Sequence, residues 1–71
     1  MNKVNFVGDF DPIFCELPCV PRKGETVELA FWENKKKIWR KFEVREISHR
    51  ILLENPVTSH FLEIRLVRVS C

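Results

Sequence analysis

The chain has 71 residues, 45% of them hydrophobic, with six Phe, two Trp and a formal net charge of +2. A chain of this length buries only about 60% of its unfolded surface, which leaves room for one small core and not for a core plus a deep substrate cleft. These bounds describe one domain over residues 1–71 and weigh against an enzyme.

No apolar run approaches the roughly 18–20 residues that cross a bilayer as a helix. The opening MNKVNFVGDFDP carries acids where a secretory signal has its apolar middle. Three cysteines are an awkward count for a disulfide framework and suit a reducing compartment. The expectation is a soluble, cytoplasmic protein without a membrane partner. The charge is unevenly spread. Residues 1–34 hold all six Asp and Glu of that half against Lys3, Arg22 and Lys23, whereas Lys35, Lys36, Lys37, Arg40 and Lys41 crowd the start of the second half. Such local bias steers a polyanion or an acidic partner.

The elements follow in chain order, and their period is two. A first short strand is predicted over about residues 3–10, ended by Asp11-Pro12, with Asp11 opening the turn. The stretch Pro18-Cys19-Val20-Pro21 reads as an extended loop, because proline has no place in a central strand. Residues 1–20 therefore form an N-terminal strand and loop that pack on the main sheet. Gly24 permits a turn conformation that other residues resist. A strand then begins near Thr26, with Val27, Leu29 and Phe31 alternating with Glu28, Ala30 and Trp32.

After a turn at Asn34–Lys37 comes a long strand. Its core positions are even at Phe42 and Val44, then odd at Ile47, His49 and Ile51, a slip that one extra residue near Arg45-Glu46 produces as a β-bulge. A loop over residues 54–59 holds Asn55-Pro56. The last strand carries Leu62, Ile64 and Leu66, with a second slip before Val67 and Val69. Bulged strands let a small sheet curl and close. The predicted fold is all-β: an SH3-like barrel of about five antiparallel strands, with residues 26–69 as its main sheet. Cross-strand charges favour a first-hairpin register with Glu28 opposite Arg45, Glu33 opposite Arg40 and Phe31 opposite Phe42, over one that sets Glu28 against Glu43. In the second hairpin the same logic sets Arg50 opposite Glu63 and His49 opposite Ile64.

Both registers put Trp32 and Trp39 on the outer face, with Lys41 beside them and Lys35–Lys37 at the tip. Three readings are open. The N-terminal segment or a second copy covers the indoles, an external protein docks on them, or they stack nucleic-acid bases while the cations hold phosphates.

Other constellations carry less. Cys15 and Cys19 form a C-x₃-C, and a structural zinc site needs a second pair from His49, His60 and Cys71. In the favoured register His60 faces Leu53, so the two histidines stand ~14 Å apart at about 3.4 Å per residue and cannot share a metal. No cofactor or metal is expected. His49 on an apolar face reads as a hydrogen-bonded barrel-end residue and His60 as a solvated one. Asp9 and Asp11 are too few ligands for a hard cation. The two glycines, Gly8 and Gly24, build no phosphate loop, and Ser48, Ser59 and Ser70 sit in no nucleophile elbow.

PRKGETVEL at 21–29 with FEVREISHR at 42–50 resembles a pattern met in short bacterial and phage proteins: Pro-Arg-x-Gly-Glu-x-Val, a strand, then aromatic-x-Val-x-x-aliphatic-x-His. The resemblance covers about residues 18–51. It implies a small curled β-sheet and carries no assigned activity. The function expected is that of a non-enzymatic protein-interaction module, an accessory or phage-derived regulator that binds a larger protein. Trp32 and Trp39 would be its anchors and Lys35, Lys36, Lys37, Arg40 and Lys41 its rim. Single-stranded nucleic acid is the alternative partner, and a homo-oligomer the third.

Overall fold

A computed structural model describes residues 1–53 and 58–69. Five strands make one sheet: β1 (Asn2–Gly8), β2 (Phe10–Leu17), β3 (Thr26–Glu33), β4 (Lys36–Leu53) and β5 (Thr58–Arg68). Their order is β2-β1-β5-β4-β3, and the sheet curls into a half-barrel. The all-β class is as the alternation required, but the sheet is mixed rather than wholly antiparallel. β1 lies parallel to β5, pairing Val4 with Leu62 and Phe6 with Ile64. Alternation tells which side chains share a face; it does not tell which strand is the neighbour or which way it runs.

The concave face holds the core. Val4, Phe6, Phe42, Val44, Leu62, Ile64 and Leu66 are buried, and Phe10, Ile13, Cys15, Val27, Leu29, Phe31 and Ile47 pack against them. Each fully buried side chain of this kind is worth about 1.5–3 kcal/mol. The sheet's two outer strands, β2 and β3, do not pair. At one end aromatic rings bridge the opening instead: the Phe10 ring lies 5.8 Å from Phe31 and 5.3 Å from Phe42, in tilted and edge-on contacts. Gly8 makes this possible. A Cβ there would stand 2.8 Å from the Leu66 carbonyl oxygen and 2.8 Å from the Phe10 ring.

The bulge expected at Arg45-Glu46 is present. Val44 pairs with Leu66 and Glu46 with Arg65, leaving Arg45 as the extra residue. The Arg22–Glu25 turn is anchored beside it. Gly24, at φ 91°, donates its N–H to the Val44 carbonyl at 2.8 Å, and the Val44 N–H returns a bond to the Glu25 carbonyl at 2.9 Å. The Glu25 carboxylate also accepts from the Arg22 N–H. This gives the Pro-Arg-x-Gly-Glu stretch a physical task, since it fastens the start of β3 to the bent strand.

Several expectations need correction. The first strand ends at Gly8 and turns at Asp9, so Asp11-Pro12 opens no turn but lies inside β2. Proline is tolerated there because β2 is an edge strand. No register shift separates Leu66 from Val67: Leu66, Val67 and Arg68 pair in one run with Val44, Glu43 and Phe42. The loop expected over 54–59 is shorter, because Thr58 and Ser59 belong to β5; Asn55-Pro56 lies outside the described residues.

Both hairpin registers also differ. In the first, Val27 pairs with Phe42, Glu28 with Lys41, Phe31 with Ile38 and Glu33 with Lys36. The cause is a two-residue turn in which Asn34 and Lys35 both take positive φ, 49° and 64°. Such a primed turn matches the strand twist and fixes pairing more tightly than surface charge does. In the second hairpin, Ile47 pairs with Ile64, His49 with Leu62, Arg50 with Phe61 and Ile51 with His60.

Candidate interaction surface

The shift in the first hairpin moves partners without swapping faces, so the tryptophans stay outside. Trp32 is 70% and Trp39 61% exposed. Trp39 stands opposite Ala30, whose small side chain leaves its indole uncovered, and Trp32 stands opposite Lys37. The two indoles are therefore diagonal neighbours across one ladder, at a separation of ~7–8 Å that large side chains span. Residues 1–20 do not reach them: β2 and β1 lie at the far side of β5.

The basic residues expected to rim this surface divide. Lys37 and Lys41 share the outer face; the Lys37 Nζ sits 5.7 Å from the Trp32 ring centroid, within cation–π range. Lys41 approaches Glu28 at 4.0 Å, an exposed pair of little energetic weight. Lys35 is in the turn and Lys36 pairs with Glu33 beside it. Arg40 is elsewhere. It lies on the concave side, joined to Glu33 by an ion pair and 5.9 Å from the Phe31 ring. There it borders a cavity of about 220 Å³ lined by Phe10, Phe31, Phe42, Asp9 and Arg68. Ordinary small-molecule pockets run to about 300–1,000 Å³.

A second exposed apolar region was missed by sequence reasoning. Beyond the reach of β1, strands β4 and β5 continue as a two-stranded arm on which Ile51, Leu52 and Leu53 are 59%, 52% and 76% exposed. Their apolar character was plain; that they stay more than half exposed among the described residues was not. Phe14, 69% exposed, adds an isolated contact on the outer face, edge-on to Phe61 at 5.9 Å. Asn5 is buried between its neighbours Phe14 and Glu63 with its Oδ1 lacking any hydrogen-bond partner.

The histidines are the clearest correction. His60 does not face Leu53. It is the diagonal neighbour of His49, and His49 Nδ1 lies 3.0 Å from His60 Nε2. Cys15 and Cys19 are both free thiols; Cys15 is half-buried against the core, and burial pushes its pKa up from 9.0. Cys71 and Ser70 lie outside the described residues. Among the described residues no three His, Cys, Asp or Glu side chains converge as a metal site, and no helix is long and apolar enough to cross a membrane. Comparison with known proteins gave no matching family model, no matching curated protein and no matching solved structure.

Proposed function

We propose that this chain is a non-enzymatic protein-interaction module, an accessory regulator on a small barrel of SH3-like size and curl, that docks through the outer face of the β3–β4 hairpin. The observation that carries this reading is the adjacency of Trp32 and Trp39, both more than half exposed on a regular hairpin with a tight turn. Tryptophan is the side chain most over-represented among binding hot spots, and contiguous exposed apolar area on a small protein marks an interface. A rigid hairpin loses little entropy when its indoles are covered. Lys35, Lys37 and Lys41 supply a cationic rim that speeds encounter with an acidic partner. Arg40, held by Glu33 on the other face, has a structural task instead.

Single-stranded nucleic acid is the second reading, since stacked aromatics beside cations also suit bases and phosphates. Lys37 over the Trp32 ring favours the protein reading, because it occupies part of the face on which a base would stack.

Capture from native extract tests the proposal. Wild type is expected to retain a specific protein that the Trp32→Ala/Trp39→Ala variant loses while keeping its β-sheet circular dichroism. Retention by both would sink it. Tight binding of mixed-sequence oligonucleotides, falling steeply as salt rises, would replace it with the nucleic-acid reading.

A further inference from the structure

We propose that His49 and His60 form a two-point chelating site for a borderline divalent ion of the Ni²⁺ or Cu²⁺ type, which staples the β4–β5 arm. The site is independent of the tryptophan surface: it lies on the concave side of the sheet, where His49 pairs with Leu62 and His60 with Ile51.

The ring geometry carries the proposal. The imidazole planes are within 8° of parallel, with centroids 5.2 Å apart. The facing nitrogens are 3.0 Å apart. The centroid gap exceeds the nitrogen gap by about two ring radii, so the rings lie edge to edge and not face on face. Each nitrogen's in-plane direction points toward the other ring. Without a metal this is an N–H···N hydrogen bond, one ring nitrogen donating and the other accepting.

The same spacing fits two cis ligands. With metal–nitrogen bonds of about 2.0–2.1 Å, nitrogens 3.0 Å apart subtend roughly 90–97° at the metal. That is the cis angle of square-planar or octahedral coordination, which Ni²⁺ and Cu²⁺ adopt. Both residues are exposed, so their rings can turn until the two lone pairs converge. In the metal-bound form His49 keeps its proton on Nε2 and His60 on Nδ1. No third protein ligand of the usual types joins them among the described residues, so solvent fills the remaining positions.

The location gives the site a consequence. β1 covers β5 only over Leu62–Arg65, so the arm beyond is a bare two-stranded ribbon, marginal in water by itself. A chelate joining its two strands fixes their register at the point where the arm leaves the core.

Ni²⁺ is the probe of choice, because Cu²⁺ oxidises free thiols and Cys15 and Cys19 are both free. Calorimetric titration of the full chain is expected to show saturable one-to-one binding below roughly millimolar Ni²⁺. His49→Gln and His60→Gln should each weaken it by about tenfold or more. In wild type alone, the imidazole ¹H–¹⁵N signals of both histidines should broaden first, and amide exchange at Ile51, Leu52, Leu53 and Ser59 should slow. Absence of saturable binding, either variant binding as tightly as wild type, or broadening confined to the thiol-bearing residues would each overturn the proposal.

Discussion

The two halves of β4 carry similar side chains and have opposite fates. Lys36–Lys41 pair with β3, Phe42 and Glu43 with both β3 and β5, and there the core side chains Phe42 and Val44 are 5% and 0% exposed. After the bulge β4 has β5 alone, and Ile51 and Leu53 are 59% and 76% exposed. An apolar residue at the right period is thus a necessary condition for burial and not a sufficient one. What buries it is a second layer or a flanking strand, and β1 and β3 end before they can supply either to the arm. His49, opposite Leu62 where the pairing of β1 with β5 ends, marks the boundary between a region that holds the fold and one free to do something else.

Truncating one apolar side chain in each region should separate the two most clearly. Ile64→Ala, at a fully buried position, should cost about 2–5 kcal/mol in urea unfolding, a large share of what so small a domain has. Ile51→Ala should move stability by no more than about 0.5 kcal/mol. Equal costs would mean that the arm is packed in solution. Next in size is the glycine at the bridged end. Gly8→Ala must displace the Leu66 carbonyl or the Phe10 ring and should cost ~1–3 kcal/mol. Gly24→Ala meets nothing within 4 Å, but its φ of 91° is strained for an L-residue, and ~1–2 kcal/mol is expected. Paired thermal melts measure both.

A smaller effect of opposite sign is expected at Asn5. Its orphaned buried oxygen makes Asn5→Val neutral or stabilising by up to about 1 kcal/mol. Smallest, and read in rates, is the contrast between thiols. The half-buried Cys15, its pKa raised by burial, holds less thiolate at a given pH than an unburied thiol would. A disulfide reagent at pH 8 should label the exposed Cys19 before Cys15, and the difference should shrink as pH rises or the chain unfolds.

Much of this architecture was legible in the residues, and the remainder was hidden for identifiable reasons. Alternation at Val27–Phe31 and Phe42–Val44 assigned inner and outer faces, and the parity change before Ile47 located the bulge near Arg45-Glu46. Pairing was harder. Charge matching misplaced the register at Glu28 and Glu33, although the Glu33–Arg40 ion pair itself forms, because the backbone of Asn34-Lys35 sets the pairing and surface ion pairs contribute little beside it. One misplaced register then separated His49 from His60, and with them a site. The parallel β1–β5 contact left no local signal, since Val4 and Leu62 are 58 residues apart and nothing in either strand states its partner. Of the proposed surface, parity put Trp32, Trp39 and Lys41 on the outer face; Lys37, expected at the tip, stands within β4 opposite Trp32. Arg40 was misassigned because its place in a basic run concealed that an even-numbered residue of β4 before the bulge points inward.

Tryptophan fluorescence on Trp32→Phe and Trp39→Phe, each leaving a single indole, tests the interaction surface most directly. Both remaining indoles should emit as water-exposed side chains and be quenched freely by acrylamide. Blue-shifted emission with protection from quencher in either variant, at concentrations where light scattering shows a monomer, would contradict it.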